Sequence, residues 1–141
     1  MRKRTLALAM VTIAASLPMQ AGAITVGSDC GHPSIVGTRG EDLITGTEER
    51  DGIVAYKGDD TISAQGGADY VCAGPGFDDI FGGKNGDRLE GGLGSDHIYG
   101  GPGPDVIIGG GGPNRSNRDT CYADIEDEAI LGCESVVIVE P

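Results

Sequence analysis

The stretch that decides the fold is GGLGSDHIY at residues 91–99, followed without a gap by GGPGPDVII at residues 100–108. Both nonapeptides carry glycine at positions one, two and four, aspartate at six and an aliphatic residue at eight. Counted in nines, the same register runs back to Gly37 through GTRGEDLIT, GTEERDGIV, AYKGDDTIS, AQGGADYVC, AGPGFDDIF and GGKNGDRLE. Eight contiguous units therefore fill residues 37–108 without insertion or deletion. The sixth position is aspartate every time: Asp42, Asp51, Asp60, Asp69, Asp78, Asp87, Asp96 and Asp105. The eighth is aliphatic every time: Ile44, Ile53, Ile62, Val71, Ile80, Leu89, Ile98 and Ile107. Aspartate is only 14 of the 141 residues, so chance does not hold this register.

The composition agrees with a repeat and with little else. The chain has 26 glycines, four Tyr, two Phe and no Trp, which is too little apolar bulk for an ordinary globular core. Its formal net charge of −12 argues against a nucleic-acid surface, which needs clustered Lys and Arg. Glycine-rich acidic chains are either disordered or periodic. Low-complexity disorder does not keep a fixed period, so the repeat is structural.

Each unit reads as a turn followed by a short strand. Glycine permits the positive φ angles that reverse a chain within a few residues. Positions seven to nine then point outward, inward and outward, as strand geometry requires. Two units make one coil of about 18 residues, and successive coils stack about 4.8 Å apart like neighbouring strands. The expected fold is all-β: a parallel β-roll of four coils with two sheets and a thin aliphatic interior.

Stacking places Asp42, Asp60, Asp78 and Asp96 along one edge and Asp51, Asp69, Asp87 and Asp105 along the other. Two bare carboxylates about 4.8 Å apart repel by about 0.9 kcal/mol in water and about 3.5 kcal/mol at an effective dielectric of 20. Several such pairs would oppose folding of a domain stable by only about 5–15 kcal/mol. A divalent cation between successive turns reverses the sign of that contribution. Carboxylates and turn carbonyls form an all-oxygen donor set, which suits Ca²⁺ better than Zn²⁺ or Mg²⁺.

The units GGLGSDHIY and GGPGPDVII fit every fixed position of the pattern G-G-x-G-x-D-x-U-x, with U aliphatic. On those residues the chain resembles the RTX, or haemolysin-type, calcium-binding repeat proteins. The resemblance implies a parallel β-roll that binds several Ca²⁺ ions in its turns and is unfolded or loosely folded without them. Carried over by position, the metal residues are the eight aspartates, with backbone carbonyls near Gly74, Gly76, Gly83, Gly92, Gly94, Gly101 and Gly103. Thr38, Thr47, Tyr56 and Gln65 depart from the second glycine of the pattern. Glu49 and Asn85 depart from the fourth, so turns 46–51 and 82–87 are expected to be distorted or metal-poor. The best sites are expected around Asp78, Asp87, Asp96 and Asp105.

The flanks carry the remaining expectations. Arg2, Lys3 and Arg4, the apolar run Thr5 to Leu17 and the small residues Ala21-Gly22-Ala23 read as a signal peptide over residues 1–23, cleaved after Ala23. The apolar run is too short to span a bilayer, so no transmembrane segment is expected. A secreted, extracellular location makes Cys30, Cys72, Cys121 and Cys133 disulfide candidates, and four cysteines allow three pairings. The pairing favoured is Cys30 with Cys72 and Cys121 with Cys133, one staple at each end. Residues 24–36 read as an N-terminal cap, with Ile35 inward and Pro33 where aspartate belongs. Residues 109–141 read as a loop and a C-terminal cap. There Asp119-Thr120-Cys121 resumes a unit displaced by two residues, and Glu134 to Glu140 forms a closing strand. Such atypical ends cover the open core of a repeat array.

Nothing in the chain reads as catalytic. His32 and His97 are surface residues, and the pairs Asp59-Asp60 and Asp78-Asp79 are already half explained by the repeat. No EF-hand loop or nucleophile elbow is present. Asn114-Arg115-Ser116 matches a glycosylation acceptor, a weak pattern. The expected function is a secreted calcium-binding module at the cell exterior, not an enzyme, with any cell-surface or matrix partner unidentified. The alternative is an extracellular enzyme or an adhesin or toxin-like effector that uses the roll as scaffold.

Overall fold

Every strand pairing in the repeat region joins residues 18 apart, so the nine-residue period becomes a two-sided coil: Ile44 faces Ile62, Ile62 faces Ile80, and Ile80 faces Ile98. A computed structural model describes residues 30–31, 33–111 and 118–139 and the backbone of residues 9–11. The strands are β1 (Ala9–Val11), β2 (Ile35–Val36), β3 (Asp42–Thr45), β4 (Gly52–Val54), β5 (Thr61–Gly66), β6 (Tyr70–Pro75) and β7 (Asp79–Lys84). They continue as β8 (Arg88–Leu93), β9 (His97–Tyr99), β10 (Val106–Gly110), β11 (Thr120–Ala123), β12 (Ala129–Leu131) and β13 (Ser135–Ile138). Odd-numbered strands form one sheet in the order β1-β3-β5-β7-β9-β11-β13, and even-numbered strands form the other. All pairings are parallel, and no helix occurs among the described residues. This is a parallel β-roll of about five coils.

The core follows from the eighth position. Ile44, Ile62, Ile80 and Ile98 form one inner row, and Ile53, Val71, Leu89 and Ile107 form the facing one, all essentially without solvent contact. Ala55, Ala64 and Ala73 at position one are buried as well. The middle strands β5 to β8 therefore run to six residues, beyond the three that positions seven to nine supply. A small inward residue at position one lets the alternation continue into the next turn.

The ends depart from the expected register. The pairing offset rises from 18 to 23 where β11 follows β9, because the connection after β10 is five residues longer than a regular one. Asp119 thus re-enters the pattern five residues late, where the sequence reading put the slip at two. The core row is continued there by Cys121, which is buried and bonded to Cys133. β12 pairs with β10 and completes a fifth coil that the repeat pattern does not announce. β13 closes one sheet, with Val136, Val137 and Ile138 about half exposed. At the other end Ile35 is buried, and Cys30 is bonded to Cys72 on β6. The expected leader lies outside the described residues except for β1, whose backbone runs parallel to β3. Residues 112–117 of the expected loop, with Asn114 and Ser116, and His32 also lie outside them. Among the described residues no helix is long and apolar enough to cross a membrane.

Candidate metal centres

Each turn delivers its aspartate to the first residue of a strand or just before it, and the side chain folds back beneath the turn. From Asp60 and Asp69 onward its Oδ1 accepts the backbone N–H of the aspartate one coil earlier, whereas Oδ1 of Asp42 and Asp51 accepts the Thr38 and Ser34 hydroxyls. Along one edge the donors and acceptors run Asp42 to Asp60 at 2.8 Å, Asp60 to Asp78 at 2.8 Å and Asp78 to Asp96 at 3.0 Å. Along the other they run Asp51 to Asp69 at 2.7 Å, Asp69 to Asp87 at 2.9 Å and Asp87 to Asp105 at 2.8 Å. The two expected columns of four are therefore both present, with the carboxylates inside the edge and not on its surface. All eight are at most 6% exposed.

The columns also continue past the repeat. Asp96 N–H donates to Asp119 Oδ1 at 3.0 Å, and Asp119 N–H donates to Glu134 Oε2 at 2.8 Å. Asp105 N–H donates to Asp127 Oδ1 at 3.1 Å. Asp119, Asp127 and Glu134 escaped the sequence reading as site residues because the insertion breaks the period. The one available signal was D-x-C-x-A at residues 119–123, an aspartate two residues before a small inward side chain.

The second carboxylate oxygen is a different matter. Oδ2 of Asp60, Asp69, Asp78, Asp87, Asp96, Asp105 and Asp119 is buried and receives no hydrogen bond. A buried anion without a donor costs free energy unless a cation or a proton meets it. Backbone carbonyls converge on several of these oxygens. A Cβ on Gly82 would stand 2.7 Å from Asp87 Oδ2 and 2.6 Å from the Gly100 carbonyl. On Gly91 it would stand 2.5 Å from Asp96 Oδ2 and 2.6 Å from the Gly109 carbonyl, and on Gly109, 2.7 Å from both Asp119 Oδ2 and the Gly132 carbonyl. Each pair sets a donorless carboxylate oxygen beside a carbonyl, of which the Gly100 carbonyl also accepts the Gly83 N–H at 3.0 Å, and hard oxygens so grouped suit an oxygen-seeking cation. Among the described residues no three acidic, histidine or cysteine side chains converge on one point, and the oxygens beside these buried carboxylates are backbone carbonyls.

The glycines make that backbone available. Position two is left-handed at Gly74, Gly83, Gly92 and Gly101, and position four at Gly94 and Gly103. The carbonyls of Gly74, Gly76 and Gly83 press against Gly92, Gly94 and Gly101 of the next coil, closer than any Cβ could approach. Asn85 takes φ 76° at position four, a conformation asparagine tolerates, and Tyr56 and Gln65 take φ 78° and 80° at position two. Turn 82–87 is therefore regular, contrary to the expected distortion. Turn 46–51 does differ, together with turn 37–42. There Thr38 and Thr47 hydrogen-bond the Oδ2 of Asp42 and Asp51.

Burial without a counter-charge raises the carboxyl pKa values. Asp60, Asp87 and Asp96 rise from 3.8 to about 6, and Asp69, Asp78 and Asp105 to about 7. Desolvation is the main cause in every case, and the N–H bond from the preceding coil works against it. Of the two adjacent carboxylate pairs, Asp59 accepts the Phe77 N–H at 2.9 Å. Asp79 lies 3.1 Å from His97 Nδ1, both side chains half exposed. Neither outer carboxylate joins the buried columns.

A parallel roll with glycine turns stacked over buried, donor-poor aspartates defines the nonapeptide-repeat class of β-solenoid. The profile of the RTX calcium-binding nonapeptide repeat (4 copies) matches residues 45–80 and 81–115, half of the chain. The chain belongs to that family, and is a calcium-binding repeat protein. No curated protein and no solved structure matches it significantly.

Proposed function

We propose that this is an exported calcium-binding protein, released from its leader after Ala23, whose roll is completed by Ca²⁺ and which acts as a structural or binding module at the cell exterior. The observation that carries the reading is the set of seven buried Oδ2 atoms without a donor. Asp60, Asp78, Asp96 and Asp119 on one edge and Asp69, Asp87 and Asp105 on the other would hold the ions, with turn carbonyls as the remaining ligands. Bound Ca²⁺ supplies positive charge between carboxylates that otherwise repel through the stack. The chain's own part is to present oxygens. Oδ1 is committed to the ladder of N–H bonds, which fixes the carboxylate plane and leaves Oδ2 facing the turn. The apolar rows beneath exclude water from that side. Disulfides at both ends suit an oxidising compartment.

Circular dichroism of the chain from Ile24 onward tests the reading. In EDTA at neutral pH the spectrum is expected to be coil-like, and millimolar Ca²⁺ is expected to convert it to β structure. An equally folded spectrum in both conditions would refute calcium-dependent folding.

A further inference from the structure

The buried aspartates of the repeat fall into two groups that the nonapeptide pattern does not separate. Six leave Oδ2 without a donor, whereas Asp42 and Asp51 do not. We propose that Thr38 and Thr47 take the place of the cation in the first coil, so that the calcium array begins at Asp60 and the first coil closes without metal. This inference rests on the calcium reading above.

The hydrogen bonds are the same in both turns. Thr38 gives its backbone N–H to Asp42 Oδ2 at 2.5 Å and its hydroxyl to the same carboxylate at 3.0–3.1 Å. Thr47 gives its N–H to Asp51 Oδ2 at 2.7 Å and its hydroxyl at 2.9 Å. Each hydroxyl oxygen in turn accepts the N–H of the residue at position four, Gly40 at 3.2 Å and Glu49 at 3.1 Å. The same hydroxyls lie farther from the position-four carbonyls, Gly40 at 3.5 Å and Glu49 at 3.3 Å, so the aspartate is the nearer acceptor in both turns. The carboxylate oxygen which meets only acceptors in the later turns here receives two donors.

The cause is backbone conformation. Position two is left-handed in the six other turns, including at Tyr56 and Gln65, so loss of glycine alone does not change the turn. Threonine is β-branched, and β-branched residues resist positive φ far more than unbranched ones. Thr38 and Thr47 stay out of the left-handed region, and so do Gly40 and Glu49 at position four. The turn then points N–H groups at the aspartate. Those N–H groups would repel a cation placed there. Glu49, which breaks the glycine pattern, is accommodated because this kind of turn needs no left-handed residue at position four.

Native mass spectrometry of the disulfide-bonded chain across a Ca²⁺ titration, paired with circular dichroism, tests the assignment. Asp42→Asn/Asp51→Asn should keep the wild-type ion count and calcium midpoint. Asp78→Asn/Asp96→Asn should lose ions and raise the midpoint at least severalfold. Thr38→Gly/Thr47→Gly should gain about one ion per converted turn, while Thr38→Ser/Thr47→Ser keeps the wild-type count. Loss of ions in the Asp42/Asp51 variant, or an unchanged count in a folded glycine variant, overturns the inference. If the glycine variant does not fold, the Asp42/Asp51 variant decides. A wild-type chain that binds no calcium overturns the parent reading instead.

Discussion

At the residue scale the protein turns on the two oxygens of one carboxylate. Oδ1 accepts a backbone N–H and helps hold the coils in register, and Oδ2 is left for a cation or a proton. In EDTA the proton is the remaining partner, and the sign of the pH dependence follows. Folded-state values raised from 3.8 to about 6 or 7 mean that the folded chain holds protons the unfolded chain has released. That stabilisation is complete below pH 3.8 and is lost as pH rises through about 6 to 7. The calcium-free chain is therefore expected to gain β structure and to melt higher as pH falls toward 4, and to be coil-like by pH 8. With saturating Ca²⁺ the trend should flatten or reverse over the same window. Thermal melts by circular dichroism in EDTA and in Ca²⁺, stepped from pH 4 to 8, check both limbs.

At the scale of the element, the stacked turn is as demanding as the strand. Gly94 has φ 145°, and a Cβ there would overlap the Gly76 carbonyl. Both penalties act at once, because backbone cannot swing aside as a flexible side chain can. Gly94→Ala is expected to cost several kcal/mol, on the order of the larger single-residue losses, and to shift the calcium midpoint upward. Gly40→Ala is the control. A Cβ at Gly40 meets only the Thr38 hydroxyl at 4.0 Å, and its φ is ordinary, so the variant should fold like wild type. Calcium titrations of the two variants followed by circular dichroism give the comparison. The aromatic ladder on the outer face of the odd-numbered sheet belongs to this scale too. Phe81, Tyr99 and Tyr122 stack at 4.8 and 4.1 Å with nearly parallel planes, a spacing imposed by the strands beneath.

At the scale of the molecule, the two disulfides anchor a narrow core at its ends. Cys30–Cys72 closes a separation of 42 residues and Cys121–Cys133 one of 12. Loop-closure entropy alone assigns about 4 kcal/mol to the first and about 3 kcal/mol to the second. Their removal should differ in kind as well. Cys72 lies on the partly exposed outer side of β6, whereas Cys121 fills an inward core position. Cys30→Ser/Cys72→Ser is expected to lower stability mainly through the unfolded chain. Cys121→Ser/Cys133→Ser adds a buried hydroxyl in the last coil and should loosen β11 to β13. Denaturant titration in saturating Ca²⁺ measures the first, and hydrogen exchange over residues 119–139 localises the second.

The roll, its two aspartate columns and its aliphatic rows could all be read from residues 37–108, because a nine-residue period leaves the chain few ways to bury one aliphatic residue per unit. Asn85 shows where such reading stops. A pattern treats it as a lost glycine, while the coil beneath holds it at the left-handed angle that asparagine tolerates. Asp119 and Asp127 were hidden for another reason, since an insertion after β10 breaks the period while the stack restores it in space. The sharpest division concerns Oδ2. Spacing places an aspartate at every sixth position, but whether its second oxygen meets a threonine or is left for a cation depends on the local φ. That angle is set by β-branching together with the contacts of the neighbouring coil, and only the folded stack brings the two to bear on one atom.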